Sequence, residues 1–315
     1  MTPFRFDDIP DLSGMTALVT GANTGIGFEI ARHLAARHAR VLLGCRSRDR
    51  GVEAVIRIRA EQPEADAEAL PLDLADMASI RSAAEQVERE ARLDVLVNNA
   101  GLMMPPLGHA HGVERQFGVN HLGHFALAAL LLDKLAADGG GRVVVQSSIA
   151  HRRGSIDFAN LDASKGYARQ AFYNQSKLAN LLFAFELNRR LRAAARPVKA
   201  IACHPGLAST DIARHLGPAR AITPLAGLLF NSAEDGALPA LRAATDPALR
   251  GGEYLGPYGL MEMRGSMSGP AYATRTARDP DLAMRLWLRS VDLTGIDPAL
   301  PAASTTSGLD SPISA

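Results

Sequence analysis

Tyr173 and Lys177 stand four residues apart in a stretch patterned as a helix. That spacing puts both side chains on one face, with Cβ atoms about 6 Å apart. A phenol is a poor base near neutral pH because its ordinary pKa is about 10. A neighbouring ammonium favours the phenolate and brings that value down. Such a pair can pass a proton to or from a substrate oxygen while a hydride moves at carbon. Ser148 closes an apolar run, Val145-Gln146-Ser147-Ser148, where a hydroxyl can hold the same oxygen and stabilise developing charge. Asn120, in Gly118-Val119-Asn120-His121, falls within a long helical pattern, and an amide among apolar neighbours calls for a specific partner.

A Tyr-x-x-x-Lys pair alone is usually a helix surface pair. Its weight comes from what precedes it. The first apolar run leads into Thr20-Gly21-Ala22-Asn23-Thr24-Gly25-Ile26-Gly27, and a helical pattern follows. Glycines there allow a tight turn and close approach to a pyrophosphate, which the free N–H groups of the helix start would bind. The spacing is Gly-x-x-x-Gly-x-Gly rather than the general dinucleotide fingerprint. The second run ends at Arg46, with Arg48 close by, where an acid would select a ribose 2′-hydroxyl. A guanidinium can instead pair with a 2′-phosphate, which points to NADP(H) over NAD(H). Arg46 also reads as a surface arginine that opens a loop. Asp73 and Leu74 end the third run, on the adenine side of such a cleft, although Asp73 or Asp76 could equally cap a helix. Asn98-Asn99-Ala100-Gly101 ends the fourth; two adjacent amides can bridge loops and face a cofactor, or simply make a turn.

The elements that must position these residues alternate along the chain. Strands are expected at Thr16–Thr20, Arg40–Cys45, Glu68–Leu72, Val95–Val97, Arg142–Gln146 and Val198–Cys203. They are short and apolar on both faces, which implies a parallel sheet covered on both sides. Helical patterns occupy about 25–37, 48–61, 76–91, 112–136 and 168–195. Strict alternation of this kind gives a doubly wound, mostly parallel α/β sheet of the Rossmann type. One domain is expected over 1–296. A lid over the substrate is expected at about 207–231, and a disordered tail at 297–315, rich in Pro, Ser, Thr and Ala. Residues 254–258 read either as a seventh strand or as a packed turn.

Composition excludes several classes. Basic and acidic residues nearly cancel, 34 against 33, so no nucleic-acid footprint is expected, and the arginines at 189, 190, 192 and 196 read as a solvated helix face. Cys45 and Cys203 lie in apolar runs and read as buried thiols in a reducing compartment. The start is polar, and no apolar run reaches the length of a membrane span. A cytoplasmic protein is expected. His109, His111, His121, His124, His151, His204 and His215 offer no compact ligand set, so no metal is expected. His121 and His124 read as packed helix residues. Met103 and Met104 line a pocket or fill the core with equal claim.

Taken together, the chain resembles the short-chain dehydrogenase/reductases, in the group that looks like retinol dehydrogenases. The matching segments are TGANTGIG, NNAG, GVNHLGHF, VVVQSSIAH, YNQSKLAN and HPG followed by Thr210. The resemblance implies that Tyr173 is the general acid/base and that Ser148 orients the substrate oxygen. It implies that Lys177 lowers the tyrosine pKa and binds the nicotinamide ribose, and that Asn120 holds a proton-relay water. It places Pro205, Gly206 and Thr210 in a loop that contacts nicotinamide, and it implies a homodimer or homotetramer through the two long helices. The connection 151–172 is longer than in many members but is shared by the retinol dehydrogenase-like group. The expected function is an NADP(H)-dependent oxidoreductase that interconverts a carbonyl and an alcohol on a small molecule. Apolar residues in the lid (Leu216, Leu225, Leu228, Leu229, Phe230) suggest a hydrophobic substrate. Transient oxidation or elimination chemistry on the same fold, and a non-catalytic dinucleotide-binding regulator, are the alternatives.

Overall fold

The computed structural model describes residues 2–207 and 231–302. Of the expected lid only Leu207 and Asn231 fall within them; Thr210 and the tail beyond 302 lie outside. The strands are β1 (Thr16–Thr20), β2 (Arg40–Cys45), β3 (Ala67–Pro71), β4 (Val95–Asn98), β5 (His109–Ala110), β6 (Val113–Glu114), β7 (Arg142–Gln146), β8 (Lys199–Cys203), β9 (Tyr254–Pro257) and β10 (Ser268–Pro270). The helices are α1 (Gly25–Ala36), α2 (Arg48–Glu61), α3 (Met77–Glu88), α4 (Arg115–Phe117), α5 (His124–Ala136), α6 (Arg169–Ala193), α7 (Ala233–Thr245) and α8 (Pro280–Thr294).

Eight of these strands form one sheet in the order β10-β9-β8-β7-β4-β1-β2-β3. Neighbours from β3 to β9 are parallel, and β10 runs antiparallel to β9. The chain turns out from β1 in both directions, to β2 and β3 on one side and to β4 and β7 on the other. This is the doubly wound, single-domain α/β arrangement the alternation implied. Strands buried on both faces need a cover on each. The residues of β1 show the division: Leu18 packs into the cluster with α3, α5, α6 and α8, while Ala17 and Val19 pack into the cluster with α1, α2 and α7. Residues 254–257 are a strand, and β10 beyond them was not foreseen.

Three expectations need correction. The helix expected over 112–136 is broken. His111 and Gly112 adopt positive φ (54° and 74°) and close a β5–β6 hairpin. The buried Glu114 carboxylate then accepts the N–H groups of Gln116 (2.9 Å) and Phe117 (3.1 Å), so the helix starts at 115. A π-helical turn, Gly118–Gly123, follows before α5. Arg190 is buried rather than solvated. It pairs with Glu186 at 2.6 Å and lies 4.5 Å above the Trp287 ring, because α8 covers that face. Ordered packing also extends past residue 297: Leu300 packs on the core and its carbonyl accepts from Arg190. Among the described residues no helix is long and apolar enough to cross a membrane.

Candidate active site

The strand ends beside the divergence of β1 and β4 open a cleft of about 710 Å³. Such a switch point is where open α/β sheets hold ligands. Every site residue expected from the sequence lines it except Asn120, which stands behind the wall, and Thr210, which lies outside the described residues.

One end of the cleft is backbone. Thr24 precedes α1 without capping it through its side chain, so among the described residues no side chain claims the first-turn N–H groups. Gly21 adopts φ 68°, and a Cβ on Gly27 would stand 2.4 Å from both Asn99 Nδ2 and the Gly21 carbonyl. This close, uncapped helix start fits a dinucleotide pyrophosphate. Arg46 is exposed at the end of β2, and neither it nor Arg50 forms an ion pair among the described residues; Arg50, not Arg48, is the second arginine on the wall. Asp73 accepts the Ala75 N–H at 2.9 Å, whereas the cap of α3 is Asp76.

The other end is side chains. Tyr173 and Lys177 are buried on α6, and the Lys177 ammonium lies 5.9 Å from the centre of the Tyr173 ring. Lys177 Nζ donates to the Gln146 carbonyl at 3.3 Å, which ties α6 to the end of β7. Asn180 Nδ2 donates to the same carbonyl at 3.0 Å, and the Ser147 hydroxyl donates to the Lys177 carbonyl at 2.7 Å. Ser148 caps the short helix Ile149–Arg153: its hydroxyl oxygen accepts the Ala150 N–H at 3.2 Å, which leaves the hydroxyl proton to donate into the cleft. Cys45 and Cys203 are buried and unpaired with each other.

Asn120 sits in the π-helical turn. Its Oδ1 accepts the Leu102 N–H (2.7 Å), and its Nδ2 donates to the Leu102 carbonyl (2.9 Å) and to Ser176 Oγ (2.9 Å). A Cβ placed on Gly101 would stand 3.3 Å from Asn120 Oδ1 and 3.5 Å from Lys177 Nζ, so the three converge. The Asn120 carbonyl accepts from His124 Nδ1 at 3.0 Å. A carbonyl cannot donate, so Nδ1 carries the ring proton and Nε2 is an acceptor. The Thr20 hydroxyl donates to Nε2 at 2.9 Å, while its oxygen accepts the N–H groups of Asn99 (2.9 Å) and Ala100 (3.0 Å). Complete burial holds the His124 pKa down at about 4, and Lys177 adds repulsion in the same direction, so the ring is neutral.

Thr20, Gln146 and His124 thus join the two ends of the cleft; sequence reasoning gave Thr20 and Gln146 no role of their own and read His124 only as a packed helix residue. His124 stands four residues beyond Asn120, a spacing that could have linked them. Gln116 was also missed. It accepts from Met104 N–H (2.8 Å) and donates to Tyr167 (3.2 Å) and to the Arg169 carbonyl (3.1 Å), fixing the entry to α6. Met103 lines the cleft. Among the described residues, Glu29, His33 and Glu234 come within ligand distance of one another. Arg32 already pairs with both carboxylates at 2.7 Å, so the group is an ion-pair network between α1 and α7.

Comparison with known proteins places this geometry. The family described as short chain dehydrogenase matches residues 15–221. Retinol dehydrogenase 13 of Homo sapiens is 41% identical over 297 residues, covering 91% of this chain and 86% of that protein. Polyprenol dehydrogenase of Mus musculus is 41% identical over 302 residues, covering 93% and 87%. The crystal structure of an uncharacterized protein from Mycobacterium paratuberculosis superposes with a TM-score of 0.78 at 38% identity, covering 95% of this chain and all of that one. A structure from Beutenbergia cavernae with bound NADP at low occupancy, described as an NAD(P) dependent gluconate 5-dehydrogenase, gives 0.60 at 29% identity, covering 78% and 95%.

Proposed function

We propose the function from one premise: the chain belongs to the short-chain dehydrogenase/reductase family, in its retinol dehydrogenase-like group. It is an oxidoreductase that interconverts a carbonyl and an alcohol on a hydrophobic small molecule, with NADP(H). The observation that carries this reading is the convergence of Ser148, after β7, and of Tyr173 and Lys177, on α6, on the same cleft as the uncapped start of α1.

When bound, the dinucleotide supplies or accepts the hydride. The backbone of Gly21, Asn23, Thr24, Gly25, Ile26 and Gly27 would hold its pyrophosphate, and Asp73, Leu74, Asn99, Ala100 and Gly101 the adjoining wall. Arg46 would pair with the 2′-phosphate, with Arg50 beside it. Lys177, Pro205 and Gly206 would meet the nicotinamide end. In reduction, Ser148 donates a hydrogen bond to the substrate oxygen, and Tyr173 delivers the proton to it. The Lys177 ammonium stabilises the phenolate left behind. Asn120, which converges with Gly101 and Lys177, would hold a proton-relay water. The hydrophobic substrate is supported by Met103 on the wall, by the apolar lid sequence, and by relatives named for retinol and polyprenol. Two buried free thiols support a reducing, cytoplasmic setting.

The test is oxidation of NADPH, and of NADH in parallel, by the purified protein over a panel of hydrophobic and small charged carbonyl compounds, with Tyr173→Phe as control. Turnover should favour NADPH and apolar carbonyls and vanish in the variant. Full activity in Tyr173→Phe, or equal rates on small charged ketones, would count against the reading.

A further inference from the structure

Behind Ser148 lies a polar cluster that the proposed reaction leaves unused. Met261 and Glu262 both adopt left-handed backbone conformations, φ 54° and 59°. Residues with side chains rarely take that region, and two in succession call for a compensating interaction. The Glu262 carboxylate supplies it. Its Oε2 accepts from Arg152 at 2.5 Å and from His204 at 3.2 Å, and its Oε1 accepts the Tyr272 N–H at 2.9 Å.

The two partners lead to two neighbouring segments that line the cleft, one after β7 and one after β8. Arg152 belongs to the short helix that Ser148 caps. His204 is fully buried and immediately precedes Pro205-Gly206. Its Nδ1 accepts the Gly206 N–H at 3.1 Å, so Nε2 carries the ring proton and donates to Glu262. Gly256 leaves the ring its room, since a Cβ there would stand 2.2 Å from Nε2. Tyr254 packs between the two segments, with its ring 5.5 Å from His151 and 5.3 Å from His204; His151 Nδ1 donates to the Ser148 carbonyl at 2.7 Å.

We propose that Glu262 is a positioning residue for the carbonyl–alcohol reaction: one carboxylate fixes the distance between the Ser148 helix and the Pro205-Gly206 turn. It touches neither substrate nor cofactor. The inference rests on the functional reading above, in which those two segments flank the reacting end of the cofactor. A carboxylate is suited to this because one oxygen can accept from a guanidinium and an imidazole together while the other accepts from the backbone.

The test uses the full chain with Glu262→Ala and Glu262→Gln, and two probes: NADP⁺ and 2′,5′-ADP, which occupies the adenosine half alone. For Glu262→Ala, kcat should fall about 10-fold or more, as expected for displacement of a substrate-orienting group. NADP⁺ affinity should weaken while 2′,5′-ADP affinity stays at the wild-type value. A residue that merely supports the fold would move both affinities together with the melting temperature, and that result would overturn the proposal. Glu262→Gln keeps an acceptor for His204 but loses the charge that holds Arg152, and should fall between wild type and alanine. If the alanine variant does not fold, glutamine decides: wild-type kcat and NADP⁺ affinity there would overturn the proposal. If the wild type turns over no carbonyl, the functional reading fails, but the ratio of the two affinities still tests the clamp.

Discussion

The glycine-turn end of the cleft is made of backbone and exposed arginine, whereas the Ser148 end is made of side chains, of which Tyr173, Lys177 and Asn120 are buried and Lys177 and Asn120 bond to other elements. At the first, the binding groups are consecutive residues at the start of α1, and the geometry follows from glycines that leave no room for a Cβ. At the second, Lys177 is held by the Gln146 carbonyl, and Asn120 by Leu102 and Ser176, each remote in the chain from the side chain it holds. A local motif can encode an anion site because free N–H groups belong to any helix start. A proton-transfer site needs side chains preorganised to within a fraction of an ångström, and only packing supplies that. The first end should therefore govern affinity and cofactor choice, and the second should govern turnover.

The sharpest separation of the two comes from Tyr173→Phe. Loss of a positioned acid/base costs about 10²–10⁴-fold; kcat should fall by that much in steady-state assays while the Kd for NADPH, from fluorescence titration, changes little. An equal loss in Kd would merge the two ends. Arg46→Asp probes the other end. Loss of a charge-assisted bond to phosphate is worth about 1.5–3 kcal/mol, so NADPH affinity should fall roughly 10- to 100-fold while NADH turnover is kept. Unchanged preference would remove Arg46 from cofactor recognition.

His124→Leu should break the division, because His124 joins Thr20 at one end to Asn120 at the other. Each buried group left unpaired costs about 1–3 kcal/mol. The urea midpoint should drop, and both kcat and NADPH affinity should decline; loss of only one would show that the bridge serves one end. The remaining test is of pH. Burial holds His121 near about 3 and His124 and His151 near about 4. Their unfolded values lie near 6.5, so between about pH 6.5 and 4 the unfolded chain binds more protons. Stability is full above that window and declines as pH falls through it. Thermal melts at pH 7, 6 and 5 should show the decline, and a flat profile would mean that these rings are not buried neutral.

Much of this was legible from residue order. The alternation of short apolar runs with helical patterns gave the sheet, since strands apolar on both faces admit few other folds. The glycine turn, Asn99-Ala100-Gly101, Ser148 and the Tyr173–Lys177 pair lie at the element ends where they were expected. The helix over 112–136 was misread because its apolar period continues through Val113 to Phe117, while the Glu114 carboxylate, which sets the true start, reveals its role only once it is buried. Arg190 looked solvated because the partner that hides it, Trp287, is nearly a hundred residues away.

By itself the sequence determined which groups could do chemistry and along which strands and helices they would fall, because periodicity and glycine placement act over a few residues. Only the tertiary structure decided which polar atoms meet: that His124 must be neutral, that Asn120 is held from both sides by Leu102, and that Glu262 reaches Arg152 and His204 at once. Hydrogen bonds are directional and short-ranged, so a pattern in one dimension cannot state them; they exist once packing has brought remote segments within about 3 Å of one another.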